Sequence, residues 1–434
     1  MTAQKVKNIM VSGVPHLTTA MNGPILQLEE HLLAHQTEVE TWFREQWLLT
    51  PAPFYASVDL RNAGFKLAPV DTNLFPAGFN NLNPAFMPLC IQAVQAAIER
   101  VCPRARRALI IAENHTRNLF YLESIETLRQ IFEQAGLEAR IGSLRDDLTE
   151  VMNVELPSGK TCRLEPVHRE GDRVSLEGFS PCLVLLNNDL SGGRPAILEG
   201  LDQQVIPPLS AGWSDRKKSD HFTHYHDVAK ELAKQISIDS WLISPLSLQC
   251  GEVSFMERNG GECLAKNVEN MLSSIQSKYD EYGIDKEPFV VVKADSGTYG
   301  MGIMTVKHAD EIASLNRKQR TKMSSAKEGL VVDNVLVQEG VYTFETIGED
   351  LAVAEPVVYM MDHFVVGGFY RVHTGRGINE NLNAPGMHFE PLAFAQPCNT
   401  PDKKDVPDAE PNRFYAYGVI ARLALLAAAR ELAD

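Results

Sequence analysis

The chain of 434 residues carries 41 Lys+Arg against 56 Asp+Glu, a formal charge of −15 at pH 7. With 44% apolar and 22% charged residues it is too hydrophobic for global disorder, and no stretch offers the dense basic face that a nucleic-acid backbone requires. Small anionic substrates stay open, because they need only a local cluster of Arg and Lys.

At about 150 residues per domain the length implies two or three domains. The N-terminus has Lys5 and Lys7 but no apolar h-region, so no secretory signal is expected. The longest apolar stretch, 423–429, is closed by Arg422 and Arg430, far short of the ~20 residues that span a bilayer. Seven cysteines without a CxxC pair argue against a disulfide scaffold or zinc knuckle. The expectation is a cytoplasmic protein with inert thiols, small-molecule substrates, and neither membrane nor nucleic-acid partners. Oligomeric state is not encoded in any readable pattern.

In chain order, Leu28, Leu32, Val39, Phe43 and Trp47 mark an amphipathic helix over 25–48. Residues 54–88, rich in Asn, Gly and Pro but with four phenylalanines, read as a long ordered loop. Ile91, Val94, Ile98 and Val101 recur at helical spacing. A buried strand over 108–112 follows, then a helix over 122–135 closed by Gly136, and a second buried strand over 182–186. Strand, helix and strand in this order predict a layered α/β domain. The polar segments 113–118 and 187–193 follow the strand ends, where open α/β sheets hold ligands, though such loops are more often solvated turns.

Pro207, Pro208 and Gly212 place a boundary near 200–215, dividing the chain into 1–210 and 211–434. Beyond it, Leu264, Val268, Met271, Leu272, Ile275, Tyr279 and Tyr282 form a helical stripe. Strand-like runs cover 289–293, 302–306, 334–338, 351–361 and 364–370, the last two flanking a turn at Asp362-His363. Residues 397–412 read as a surface loop and 414–432 as a closing helix.

The most informative stretch runs from Phe289 to Val306. A β-rich run delivers Lys293, a loop with Ser296, Gly297, Gly300 and Gly302 follows, and a second β-run leaves it. Glycines let backbone N–H groups approach an anion, and the lysine would place a point charge on phosphates. Neither GxxxxGK[ST] nor GxGxxG followed by a helix is present, and alone this pattern is more often a plain hairpin than a nucleotide flap. Gln338-Glu339-Gly340-Val341 ends a strand in a shape suited to an adenine hinge, with Glu339 toward the base amino group. Arg371 ends the two-strand unit 351–370 and is a candidate for stabilising charge on a transferring phosphoryl group. The segment 379–386 gathers Glu380, Asn381 and Asn383, oxygen donors suited to Mg²⁺, or simply an Asn-rich turn.

This ordered set resembles the ATP-grasp ligases, and within them the proteobacterial glutamate–cysteine ligase family. The stretches 293–304, 338–345 and 355–386 carry the resemblance, together with 59–83, 113–118 and 187–194. It implies an α/β fold in which an N-terminal layered α/β substrate domain precedes an ATP-grasp-like, α+β nucleotide domain. It also implies ATP and Mg²⁺ as cofactors, and L-glutamate and L-cysteine as substrates, joined through an acyl phosphate in the first step of glutathione biosynthesis. Lys293 and Arg371 would be catalytic, and Lys266 a second ATP-contacting lysine. Asn381 stands where the resemblance calls for a glutamate, and Glu355, Asp362 and Glu390 are all open as a further acidic ligand.

For glutamate, bidentate arginine suits the α-carboxylate: Arg61 and Arg117 come first and Arg258 is the reserve, with Asp71 or Glu113 for the ammonium. The basic segment 213–221 reads as a solvated loop at the domain boundary. Two alternatives stay open, a ligase for another amino acid pair and a degenerate nucleotide-binding regulatory protein.

Overall fold

A computed structural model describes residues 17–18, 24–114, 118–257, 259–297, 302–324, 332–348, 350–391 and 413–434. The expected surface loop at 397–412 lies outside the described residues. The fold is mixed α/β, built from three main sheets.

The predicted buried strands form the first sheet. Strands Leu183–Asn187 and Arg107–Ala112 are apolar and buried on both faces, as parallel strands covered by helices must be. They pair in parallel with each other, with Gln204–Ile206 on one side, and with Glu138–Ser143 and Thr161–Pro166 on the other. Met152–Glu155 adds an antiparallel edge. Helix Leu119–Gln134 starts where the Asn118 side chain accepts the Tyr121 N–H at 3.2 Å. Its stripe of Leu122, Ile125, Leu128 and Phe132 joins Val94 and Ile98 of helix Met87–Val101 in one core.

That core also takes Val357 and Tyr359 from the second, seven-stranded sheet, so the two helices are shared between sheets. The second sheet corrects two expectations. Residues 54–88 are not a loop: Tyr55–Asn62 and Leu67–Asn73 are paired strands, and the first pairs antiparallel with Ala352–Met361. Strands from both sides of residue 210 therefore share one sheet, and a cut there would sever it. Ala352–Met361 and Phe364–His373 form the hairpin expected around Asp362-His363, and His388–Pro391 and Thr346–Ile347 extend the sheet. The helix expected over 25–48 is two helices, Pro24–Ala34 and Gln36–Leu49, with His35 between them.

The third sheet is antiparallel, in the order Ser247–Cys250, Val335–Glu339, Val290–Ala294 and Ile303–Val306. Helix Gly261–Tyr282 covers one face, burying Leu264, Val268, Ile275 and Tyr279 against Val290, Val292 and Val337.

The closing helix Arg413–Ala433 is buried all round from Tyr415 to Ala429, as its largely apolar sequence requires, with Arg422 the charged exception, paired with Glu40. It packs on helix Lys218–Gln235 and on strands Tyr55–Asn62 and Leu67–Asn73. Among the described residues no helix is long and apolar enough to cross a membrane. Its end is fixed by Glu431, which accepts from Arg216 Nε at 2.7 Å and lies 3.1 Å from His221 Nδ1. Burial would raise the Glu431 pKa, but the Arg216 charge and the His221 hydrogen bond outweigh it and hold it at about 2.

A depressed carboxyl pKa contributes stability above the unfolded value of about 4.3, and that stability fades as pH falls toward 2. Glu431→Gln should therefore lose roughly 3 kcal/mol at pH 7. Urea denaturation at pH 7, 5 and 3 should show the gap to the parent narrowing below pH 5; a gap independent of pH contradicts this.

Candidate active site

The site lies between the second and third sheets, in a cleft of about 810 Å³ counting its open mouth. Strand alternation decides which residues line it. On Tyr55–Asn62, Val58 and Leu60 point into the core under the closing helix, while Asp59 and Arg61 face the cleft. Asp71 is the cross-strand partner of Asp59, and Glu355 that of Arg371. From the opposite wall, Val290 and Val292 are core residues, whereas Val291 and Lys293 face the cleft with Ile303, Thr305 and Gln338.

The wall of the second sheet is a charge network. Glu355 accepts from Arg61 Nε at 3.1 Å through one oxygen and from Arg371 Nη1 at 2.5 Å through the other. Arg371 Nη1 also reaches Asp59 at 2.9 Å, and its buried Nε has no protein partner among the described residues. Lys293 donates to the Val70 carbonyl at 2.6 Å, and burial lowers its pKa to about 8. Burial would raise the Asp71 pKa, but Lys218, Lys293 and Arg216 outweigh it and hold the carboxyl below its usual range. Burial raises that of Asp59, with Arg371 opposing and Glu355 and Asp71 adding to the rise.

The glycine loop leaves the third sheet directly after Lys293. Its strands form a hairpin, closed by the Ala294 N–H on the Gly302 carbonyl at 2.8 Å, and Gly297 and Gly302 both have positive φ. Gly297 lines the cleft and Ser296 stands half-buried beside it, while Gly300 lies outside the described residues. The root of the loop is fastened to helix Lys218–Gln235. Asp295 accepts from the Ser219 N–H and hydroxyl, each at 2.8 Å, and its carbonyl accepts from the Lys218 N–H at 2.7 Å.

That attachment brings in Lys218, from the segment 213–221 expected to be a solvated loop. Lys218 is buried, lines the cleft, donates to the Gly297 carbonyl and lies 4.1 Å from the Trp213 ring centroid. The helix it opens has Phe222, Tyr225, Ala229 and Leu232 buried, a spacing readable in the sequence. Asp59 is a second cleft residue not among the expected ones, although polar 57, 59 and 61 alternate with apolar 56, 58 and 60.

Several expected site residues take other places. Glu339 is one residue past Gln338 and so points to the opposite face. There it pairs with fully buried Lys66 at 2.7 Å and accepts from Trp241 Nε1 and the Leu246 N–H, so both oxygens are engaged although the residue also borders the cleft. Gln338 is the cleft-facing residue, and its buried Nε2 has no protein partner among the described residues. Arg61 lines the cleft, but its fork is engaged by Glu355, the Val341 carbonyl at 3.1 Å and the Glu380 carbonyl at 2.5 Å, so it is not free for a bidentate carboxylate. Lys266 is exposed on helix Gly261–Tyr282, away from the cleft lining. Glu113 belongs to the first sheet, where it accepts from the Asp189 N–H at 3.0 Å. Arg117 and Arg258 lie outside the described residues.

Glu380, Asn381 and Asn383 all line the cleft. The Glu380 carboxylate, however, accepts from the Gly377 N–H at 2.6 Å and Arg376 Nη1 at 2.9 Å, and Asn381 Oδ1 accepts from the Asn383 N–H at 2.9 Å. Of the open acidic candidates, Glu355 is in the cleft, while Asp362 pairs with Arg100 at the hairpin tip and Glu390 lies 3.5 Å from His388.

Two lysines and a bidentate-capable arginine facing carboxylates, under a glycine hairpin, define an enzyme site for small anionic substrates. Residues 29–432 match the glutamate-cysteine ligase family, and the chain belongs to that family. The crystal structure of a protein from Methylobacillus flagellatus KT, provisionally named a gamma-glutamylcysteine synthetase, is 63% identical with a TM-score of 0.90, covering 97% of this chain and 99% of that one. D-alanyl-alanine synthetase A from Vibrio cholerae (11% identity, 73% and 80% covered, TM-score 0.35) and a glutathione synthetase-like effector from Globodera pallida (9%, 84% and 80%, 0.32) are too distant to bear on function. No curated protein matches the chain. The protein is thus a ligase of glutathione biosynthesis that joins glutamate to cysteine.

Proposed function

We propose that the cleft performs this ligation in the cytoplasm by an ATP-grasp-like mechanism: ATP phosphorylates the γ-carboxylate of L-glutamate, and the amine of L-cysteine displaces phosphate from the acyl phosphate. The observation that carries this reading is the opposition of Lys293, at the root of a glycine hairpin, to Arg371 across one cleft. Lys293 and Lys218 hold the nucleotide phosphates from the third-sheet side, beneath the hairpin at Ser296, Gly297 and Gly302. The unpartnered Gln338 amide and the backbone at Glu339 and Val341 read the base. Arg371 steadies the γ-carboxylate and the transferring phosphoryl group, and Asp71, kept ionised by its cationic neighbours, receives the glutamate ammonium. Such phosphoryl transfer depends on positioning and charge neutralisation rather than on a protein nucleophile.

Magnesium enters as MgATP. The described residues gather no set of three Asp, Glu, His or Cys side chains for a resident ion, and the Glu380 carboxylate is already neutralised. Asn381 and Asn383 lend amide oxygens to an ion that arrives with its phosphates. The test is ADP release with MgATP and with glutamate and cysteine added singly and together. Release that requires both supports the reading. Release with glutamate and a different amine redirects the acceptor, and binding without turnover overturns the reading.

Lys293 gives a pH signature. In the empty cleft its pKa of about 8 leaves it half neutral at pH 8. Phosphates favour the ammonium and draw that pKa back toward its ordinary value of about 10.4. ATP binding should therefore take up protons at pH 8–9, and affinity should weaken as pH rises past about 8. Calorimetry in buffers of different ionisation enthalpy reads the uptake; Lys293→Met should reduce it sharply, and its absence in the parent contradicts the assignment.

A further inference from the structure

Resting on the acyl-phosphate reading above, we infer that Asp59 is the base that accepts a proton from the cysteine ammonium, so that the amine can attack the γ-glutamyl phosphate. A free amine is needed because an ammonium has no lone pair. Nitrogen gives one proton to the Asp59 carboxylate, the C–N bond forms, and the bond from carbon to the phosphate oxygen breaks. Nitrogen loses its second proton to the departing phosphate, which leaves as hydrogen phosphate. The Asp59 proton then passes to solvent.

Position singles out Asp59 among five cleft carboxylates. Glu339 is engaged by Lys66 through one oxygen and by Trp241 Nε1 through the other. Glu355 has each oxygen paired with an arginine, Arg61 on one and Arg371 on the other. Glu380 is tied to Arg376 and the Gly377 N–H. Asp71 accepts from the Thr72 N–H at 3.1 Å and sits among three cations, an environment that keeps it ionised and weakly basic. Asp59 remains. Arg371 holds only its Oδ2, at 2.9 Å, and Oδ1 has no protein partner among the described residues. Its side chain is 20% exposed and lines the cleft.

The groups facing Asp59 are Tyr359 and Glu355 on the adjacent strand, Arg371 one strand further, the cross-strand partner Asp71, and Lys293 across the cleft. Like charges directly opposite on paired strands repel, and Asp71 and Glu355 push Asp59 toward accepting a proton while Arg371 tempers the rise. Two neighbouring carboxylates driven apart in basicity are the usual ground for assigning one as base and one as fixed charge. Lys218 and Lys293 do not compete for the role. Each donates to a backbone carbonyl, of Gly297 and Val70, and each has its charge restored by phosphate.

Hydroxylamine separates the steps, because it is largely unprotonated at neutral pH and traps the acyl phosphate as a hydroxamate without a base. Asp59→Asn should lower ligation of cysteine by about 10²–10⁴-fold. Its ATP- and glutamate-dependent hydroxamate formation should fall far less, so that the ratio of cysteine to hydroxylamine turnover drops by at least about tenfold. Asp59→Glu, which keeps a carboxylate and a partner for Arg371, carries the same test should the Asn variant not fold. Its ratio of cysteine to hydroxylamine turnover should fall about tenfold.

The parent's dependence of kcat/KM for cysteine on pH should show an acid limb that the Asn variant lacks. Equal loss with both acceptors, or loss with neither, overturns the role of Asp59 alone. Failure of the parent to form hydroxamate overturns the acyl-phosphate reading, and the role of Asp59 with it.

Discussion

Arg371→Ala is expected to lower kcat/KM for ligation by roughly 10²–10³-fold, the usual cost of removing a preorganised donor from developing charge. The structure adds a second reason. Asp59 and Glu355 both bond to Arg371 Nη1, so its loss leaves two carboxylates facing the cleft with Arg61 as the remaining guanidinium beside Glu355. A cleft wall that is net negative repels both ATP and the glutamate carboxylate. Arg371→Lys keeps the charge but not the fork and should fall between parent and Ala. Steady-state kinetics, with circular dichroism as a check on folding, decide it; a folded Ala variant within threefold of the parent refutes the role.

Glu339→Gln separates a core role from a nucleotide role. Lys66 is fully buried, its Nζ 2.7 Å from Glu339 and 4.2 Å from the Trp241 ring centroid, and burial lowers its pKa to about 8 even with that partner. Breaking a buried ion pair from one side strands the other charge, at a cost of about 3–5 kcal/mol. The variant should lose that much stability in urea denaturation, while KM for ATP in the folded enzyme shifts less than about threefold. Pairing it with Lys66→Met should recover much of the loss. An intact fold with a large rise in KM would restore the adenine-reading role.

The contrast shows what a sequence makes legible. Periodicity located the helix under Leu122 and Phe132, the two buried strands and the hairpin at Asp362-His363, because each is a local pattern. The strands Tyr55–Asn62 and Leu67–Asn73 were hidden by Asn, Gly and Pro nearby, and their partner strand is about 300 residues away. Gln338 and Glu339 could not be told apart, since strand parity assigns a face only once it is known which side helix Gly261–Tyr282 covers. Arg61 reads as a free cation because Glu355, which engages it, stands 294 residues later. Lys293 and Arg371 were legible because each sits at the end of a strand-like run beside a distinctive turn. The net charge of −15 proves no guide to the site, where Lys218, Lys293, Arg61 and Arg371 converge.

The most direct test of the central claim uses glutamate labelled with ¹⁸O in its γ-carboxylate, turned over with MgATP and cysteine. If the carboxylate attacks the γ-phosphate of ATP, one labelled oxygen per turnover appears in inorganic phosphate and the other stays in the amide of the product. Phosphate free of label, with both oxygens still on unreacted glutamate or lost to water, would contradict the mechanism.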